Sequence, residues 1–375
     1  MSIKLILSLF LIFLISCEIP KDIEEKGKDS MINPQRPYSD FQTYAEYYKK
    51  EYGKELVHPL SQTILRISSK TEKNPEYIDY IYKVSKYIEY FADYGMCFPE
   101  EIAEGKCCAS FLPSTRMDQT SSSGWTLVDY GRSDWKDCKG VFTNKQNHFA
   151  IWKNDIFKKV VITYPGTKGG FIQGMAELIN SGLTEFPIQK YDKNIRLVKY
   201  FGLRAQAIME KVFTEQNIIN MKIREGYRII FTGHSLGGAM GSGTLLFALD
   251  RDIISRNVNH PVLITFGQPR TGNDEFCLTL QREAEIIYRH TNTEDPIPQI
   301  PLVKNGLRHT MGRIIISGDK SSFHIDTEEY NYDTDSIDSN QEMNVAEILG
   351  KIISKMDRHT YYYTMRIGEF CLNHN

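Results

Sequence analysis

Gly233-His234-Ser235-Leu236-Gly237 is the stretch whose residue types and spacing point most directly to chemistry. A serine hydroxyl becomes an effective nucleophile when a base takes its proton and a sharp turn presents it. Here the turn falls between Tyr227–Thr232, a β-branched and aromatic run with the composition of a buried strand, and a small and apolar run to Asp250 that reads as a closely packed helix. That strand–turn–helix setting is where G-x-S-x-G forms a nucleophile elbow. Gly233 and Gly237 remove side chains that the turn would force into the sheet and helix, and Gly238, Ala239, Gly241 and Gly243 let the helix backbone approach. The turn lifts the Ser235 hydroxyl above the sheet and puts the Leu236 amide at the helix N-terminus, where an oxyanion is stabilised. The plainer reading is a Gly-rich turn with an incidental serine; the flanking elements favour the nucleophile.

An activated serine needs a base, and the base needs a group to orient it. On this plan the acid and the histidine follow the serine, on loops at the C-terminal ends of later strands. Asp295 lies just beyond a strand-like run, Glu285–Arg289, and is fixed by Pro296 and Pro298. Asp274 also follows a strand, but Asn273-Asp274-Glu275 looks like a helix cap. Four histidines come after Asp295: His309 in an expected strand from Leu307 to Ile316, His324 in an acidic stretch, His374 near the end, and His359 beside Asp357. The residues alone favour His359 without deciding for it. His234 reads as a packing and hydrogen-bonding residue rather than a base. A second oxyanion donor is expected after an earlier strand, and Thr167, in the turn Pro165-Gly166-Thr167, is placed to offer its N–H and hydroxyl.

Around these residues the composition is that of an ordinary globular chain: 375 residues, 41% hydrophobic, 25% charged, net charge −2. No clustered basic surface or nucleic-acid motif stands out, so nucleic acid is not an expected partner. Residues 1–17 have one early lysine and then an apolar run from Leu5 to Ile15, which reads as a secretory signal peptide and is short for a membrane span. Leu14-Ile15-Ser16-Cys17 also resembles a bacterial lipobox, a minor alternative. Removal of that segment leaves Cys97, Cys107, Cys108, Cys138, Cys277 and Cys371, an even set that suggests disulfides in an exported chain without choosing their pairing. No Cys-x-x-Cys pair or histidine at ligand spacing supports zinc, and no metal or cofactor is expected.

Residues 18–40 read as a flexible start, and 18–80 as an N-terminal extension before a catalytic domain at 81–375. Tyr77–Phe91 has apolar residues near helical period, and its tyrosines read as core packing. Trp125–Tyr130, Val141–Thr143 and His148–Trp152 are plausible antiparallel strands, and Lys158–Tyr164 is a better one, ended by Pro165-Gly166. Phe171, Ile172, Met175, Leu178 and Ile179 fall on one face of a short helix. Leu197–Phe213 reads as a longer helix and Val262–Phe266 as a further buried strand. Strands alternating with helices argue for an α/β protein with a mainly parallel sheet and helices on both faces. Residues 317–346 are expected to form a solvated acidic loop; Asp333, Asp335 and Asp338 invite calcium, but Ile337 stands where an oxygen ligand belongs. Val345–His359 reads as a final amphipathic helix.

Several separated segments resemble the class 3, fungal-type triacylglycerol lipases. Gly233-His234-Ser235-Leu236-Gly237-Gly238-Ala239 resembles their elbow, and Thr265-Phe266-Gly267-Gln268-Pro269-Arg270-Thr271-Gly272-Asn273 the strand and turn after it. Thr293-Glu294-Asp295-Pro296-Ile297-Pro298-Gln299-Ile300-Pro301 is similar to the acid loop. Asp357-Arg358-His359-Thr360-Tyr361-Tyr362 resembles the terminal Asp-His-x-x-Tyr-Phe segment with one residue inserted. Tyr164-Pro165-Gly166-Thr167 is similar to the oxyanion turn, with proline in place of arginine, and His309 falls where the family has a non-catalytic histidine. The resemblance spans roughly residues 80–375. It implies an α/β-hydrolase fold, a Ser235–His359–Asp295 triad, an oxyanion hole from Thr167 and Leu236, and hydrolysis of acylglycerol esters at a lipid–water interface. Residues 171–179 occupy the place of the family's lid, although an ordinary surface helix is the competing reading. A phospholipase or feruloyl-type esterase is the runner-up within this chemistry, and a catalytically silent lipid- or partner-binding homologue the rival outside it. The implied location is secreted or within the secretory pathway; nothing in the residues bears on oligomeric state.

Overall fold

The computed structural model describes residues 75–97, 99–103, 124–133, 147–167, 182–191, 194–293, 295–302, 306–316, 323–326, 350, 354–363 and 367. The signal-like segment, the expected strand Val141–Thr143, the lid candidates Phe171, Ile172, Met175, Leu178 and Ile179, and the acidic trio Asp333, Asp335 and Asp338 lie outside the described residues.

Helix α1 is Pro75–Tyr94. Three strands follow, β1 Trp125–Arg132, β2 His148–Asn154 and β3 Lys159–Tyr164, then a small pair, β4 Leu183–Glu185 and β5 Arg196–Val198. Helix α2, Lys199–Val212, leads by way of a shorter helix to β6, Arg228–His234, and α3, Leu236–Asp250. Strand β7 is Val262–Phe266, α4 Asp274–Glu283, β8 Ile286–Asn292, β9 Arg313–Ile316, β10 Phe323–Asp326 and α5 Met356–Thr360.

Eight strands form one sheet in the order β1-β2-β3-β6-β7-β8-β9-β10. The run β3-β6-β7-β8-β9 is parallel, and antiparallel pairs close both edges. This is the α/β-hydrolase arrangement. The central strands are apolar at successive positions because both faces are covered, as parallel sheets require. Val160, Ile162, Ile229, Phe231 and Leu263 pack toward α2 and α3, while Val161, Ile230, Val262 and Ile264 pack toward α1. Helix α3 is buried at every position, which its small and apolar sequence permits. Its Gly243 lies against α2, where an added Cβ would come within 2.7 Å of Ala205 Cβ.

The tyrosine-rich helix is core, as its period suggests. Tyr87, Phe91 and Tyr94 line its buried face, with Phe91 edge-on to Trp125 at 4.8 Å and Tyr94 edge-on to Trp152 at 4.8 Å. Trp125 Nε1 donates to Tyr87 OH at 2.8 Å, giving a buried indole the partner it needs.

Three expectations are corrected. The strand expected over Leu307–Ile316 is Arg313–Ile316 only, because Gly312 turns at φ +88° just before it, in a place where a Cβ would meet Ile287 O at 2.1 Å. His309 therefore precedes the strand. The acidic stretch is not a continuous loop: Phe323–Asp326, which includes His324, pairs with β9 as the last strand. Cys277 on α4 is a free, buried thiol that burial pushes up to about 12, so the six cysteines do not all pair.

Candidate active site

In a parallel sheet every strand ends on the same side, and the crevice beyond those ends is where ligands bind. Strands β3 and β6 are neighbours in a register that sets Tyr164 against Gly233. The turn at Pro165-Gly166-Thr167 thereby lies against the turn at Ser235. Strand β7 adjoins β6 on the other side, with Phe266 against His234, and β8 adjoins β7 with His290 against Phe266.

Ser235 joins β6 to α3 and takes φ 55° and ψ −121°, a conformation rarely adopted by a residue with a Cβ. Its N–H donates to Phe266 O at 2.8 Å, and its carbonyl accepts the Gly238 N–H at 3.0 Å, so both neighbouring elements hold the turn. A Cβ at Gly237 would stand 2.2 Å from Tyr164 O, so only glycine lets the helix start this close to β3. Leu236 opens the helix, where backbone N–H groups lack intrahelical acceptors. Across from it Thr167 carries a buried hydroxyl with no hydrogen-bond partner.

Asp295 leaves the end of β8. Its N–H donates to Asn292 O at 3.1 Å and its Oδ1 accepts the Ile297 N–H at 2.9 Å, so the carboxylate caps its own loop. Arg270, buried, braces that loop from behind through Nη1 to Gln299 O and, at 2.8 Å, to Pro301 O. Asp274, by contrast, is the first residue of α4 behind the Asn273 cap, which accepts the Phe276 N–H at 3.2 Å, and pairs with Arg308 at 3.5 Å.

His359 lies on α5, and its Nδ1 meets Asp295 at 2.9 Å to Oδ2 and 3.1 Å to Oδ1. Both side chains are buried. Nδ1–H donates to the carboxylate, which leaves Nε2 as the basic nitrogen, and that atom has no hydrogen-bond partner. The helix that carries it is Met356–Thr360, which begins after a turn at Lys355, so the single helix expected over Val345–His359 is interrupted there. Gly267, at φ +60°, makes room: a Cβ there would lie 2.7 Å from His359 Cε1 and 2.5 Å from Tyr362 OH.

Of the other histidines, His309 bonds through Nε2 to Pro298 O at 2.7 Å, a support for the acid loop, and His324 is on the far edge strand. The structure brings Ser235, Leu236, Thr167, Asp295 and His359 to one end of one sheet.

Residues 161–305 match the family described as lipase (class 3). Over 93 residues the chain is 33% identical to secreted mono- and diacylglycerol lipase 1 of Fusarium solani, covering 24% of this chain and 26% of that one. It is 36% identical over 118 residues to lipase A of Sodiomyces alcalophilus, covering 28% of this chain and 27% of that one. The chain thus spans about a quarter of the length of these curated relatives. The Rhizomucor miehei triacylglyceride lipase structure superposes with a TM-score of 0.56 at 16% identity, covering 80% of this chain and 98% of that one, a likeness of fold.

Tyr362 escapes a reading by spacing alone, whereas His234 has the packing and hydrogen-bonding place expected of it. Tyr362 OH donates to Asp295 Oδ2 at 3.3 Å, and burial followed by the Asp295 charge holds that phenol well above its ordinary range, so it stays a donor. His234 Nε2–H donates to the main-chain carbonyl of His359 at 2.8 Å, with the two rings 4.5 Å apart. Burial, and then the neighbouring His359, hold His234 well below the usual histidine range, so it remains neutral. Tyr362 stands inside the segment Asp357–Tyr362 that resembles the class 3 lipases, the one signal by which it could have been singled out.

Proposed function

We propose that this chain is a class 3 lipase, a serine hydrolase of lipid esters with acylglycerols as the substrate class. The observation that carries the reading is the buried Asp295–His359 pair, closed at 2.9 Å, at the same sheet end as a serine in a strained elbow. Ser235 Oγ attacks the acyl carbonyl while His359 Nε2 takes its proton. The tetrahedral oxyanion is held by the N–H groups of Leu236 and Thr167, with the Thr167 hydroxyl as a further donor. Collapse expels the alcohol, which leaves with the proton from His359. Water then attacks the acyl-enzyme by the same route, releasing the fatty acid and restoring the serine. Asp295 holds the imidazole in the tautomer with Nδ1 protonated and stabilises the cation that forms at each step.

The acylglycerol assignment is supported by the names of the relatives and of the structural neighbour, each a lipase. The apolar residues 171–179, directly after the oxyanion turn, are the lid in this reading. Export is part of the proposal. Its support is the apolar leader at residues 1–17, the secreted Fusarium relative, and Cys97, whose sulfur is taken up in a disulfide. No helix among the described residues is long and apolar enough to cross a membrane.

The test is hydrolysis of emulsified triacylglycerol, phosphatidylcholine and a short soluble ester by the purified protein and by Ser235→Ala. We expect turnover of triacylglycerol, with kcat lowered by roughly a millionfold in the variant. Preference for phosphatidylcholine would move the assignment to a phospholipase. A wild type inert on all three substrates would remove the enzymatic reading.

A further inference from the structure

The oxyanion turn is also held by a residue outside the segments that resemble the class 3 lipases. Helix α1 ends in a tight turn, with Gly95 N–H bonding to Phe91 O at 2.9 Å and Met96 N–H to Asp93 O at 2.9 Å. That turn is fastened to the sheet just where β3 ends. Thr163 Oγ1 donates to Phe91 O at 2.7 Å, and His148 Nε2 bonds to Gly95 O at 3.2 Å. A Cβ on Gly95 would lie 2.3 Å from Thr163 Oγ1 and 2.9 Å from Tyr164 O, so the two backbones touch. Met96, buried, reaches onward from this fixed point, and its Sδ accepts the Gly166 N–H at 2.9 Å.

Gly166 immediately precedes Thr167. A Cβ on Gly166 would be 3.0 Å from His234 O, 3.1 Å from His234 Nδ1 and 3.2 Å from Met96 Sδ. A glycine has a wide choice of backbone angles, and the direction of the next N–H follows from that choice. Two contacts narrow the choice here: His234 of the elbow crowds the Cα, and the thioether accepts the amide N–H. Packing alone would not need sulfur at this position, since an aliphatic side chain fills similar volume. What sulfur adds is an acceptor, weak but placed where a buried N–H requires one.

We propose that Met96 is a positioning residue for the oxyanion hole, its sulfur fixing the Pro165–Gly166 peptide and thereby, through the Gly166 backbone angles, aiming the Thr167 N–H at the developing oxyanion. The inference rests on the hydrolase reading and adds to it a residue from the turn after α1. A group that aims an oxyanion donor contributes more in the transition state than in the ester complex, so its loss appears in kcat and leaves KM nearly unchanged.

The experiment compares Met96→Leu and Met96→Gln with wild type, reading kcat and KM on a short soluble ester and the rate of Ser235 labelling by an alkylphosphonate. Leucine keeps an apolar side chain of similar size and deletes the acceptor; glutamine keeps an acceptor and buries a polar group. We expect Met96→Leu to lose about tenfold in kcat and a similar factor in labelling, less than the ~10²–10³ for removing a donor outright, with KM within about twofold. Met96→Gln should recover most of that loss. If the glutamine variant fails to fold, the kcat, KM and labelling values of Met96→Leu decide by themselves. Wild-type kcat in Met96→Leu, or a loss confined to KM, overturns the role and leaves the hydrolase standing. A wild type that neither turns over nor labels overturns both.

Discussion

His234 at the elbow and His359 on the last helix lie ring against ring, 4.5 Å apart and both buried, yet their surroundings fit them for opposite tasks. His359 faces a carboxylate through Nδ1 and has an unpartnered Nε2. His234 faces only a main-chain carbonyl through Nε2, and burial and its neighbour both oppose a charge on it. A proton taken up by the first ring is stabilised by Asp295, whereas the second ring has only a neutral main-chain carbonyl, too little to offset the desolvation of a cation. The pair teaches that a buried histidine becomes a base through the group behind it. His234 is instead a neutral strut, tying the elbow to the helix that carries the base.

The largest way to break this comparison is to take away what distinguishes His359. Asp295→Asn keeps the shape of the side chain but supplies no charge, and its amide favours the tautomer with the proton on Nε2. By the magnitude such a change has in serine hydrolases, kcat should fall about ten-thousandfold. Phosphonate labelling of Ser235 should slow in parallel, while the thermal unfolding midpoint moves by only a few degrees. Retention of a tenth of the activity would mean that another group orients the base.

A second measurement asks whether the strut is neutral. His234 and His290 both have a folded-state pKa below the ordinary histidine value, through burial first in each case; that of His290 is lowered to about 3. The unfolded chain therefore takes up more protons than the folded one once the pH drops below about 6.5. Stability from these groups is complete above that pH and is lost as the pH falls through it. Each can cost at most about 1.4 kcal/mol per further pH unit, or close to 3 kcal/mol per unit for the two. Urea unfolding at pH 7.5, 6.5 and 5.5 should show the midpoint falling mainly over the last interval, and His290→Phe, which preserves the stack on Phe266 at 4.6 Å, should lessen the slope. Equal midpoints at all three values would mean that these rings already carry protons when folded.

The two histidines also mark what a sequence can and cannot disclose. The elbow was legible because its requirements are local: glycines around a serine, a strand before and a helix after, within residues 227–250. Asp295 could be ranked above Asp274 because prolines and a strand end are local signals too. His359 could not be chosen on residues alone, since its partner lies 64 positions away in the chain, and the resemblance to a family decided it. Met96 and Gly166 are 70 positions apart, and nothing in a methionine near a loop announces that its sulfur will be an acceptor. Strand β10 was hidden for another reason: Phe323-His324-Ile325-Asp326 is a two-period pattern only four residues long, set in an acidic run whose composition argued for solvent. The parallel centre of the sheet, by contrast, followed from helices alternating with apolar strands, and the β3–β6 register then brought Thr167 beside Ser235 without further assumption.

The smallest change sharpens the comparison from the side of the acid. Tyr362 OH is 3.3 Å from Asp295 Oδ2, the same oxygen that receives the His359 Nδ1–H. One reading makes the phenol a support that holds the carboxylate in the plane of the ring; the other makes it filler, since Tyr362 also packs edge-on to Phe266 at 5.4 Å. Tyr362→Phe keeps the ring and removes the hydroxyl. A single hydrogen bond to a charged acceptor contributes about 1.5–3 kcal/mol, and at this length the lower end applies, so kcat should drop about tenfold. The effect belongs to the charged state of His359, so it should appear in kcat and in the rate of phosphonate labelling, with KM and the unfolding midpoint little changed. In the Asp295→Asn background the same substitution should have almost no effect, because the hydroxyl would no longer be acting on a charge. A loss of equal size in both backgrounds would identify Tyr362 as packing for the α5 loop, and leave His359 held by Asp295 and the His234 strut alone.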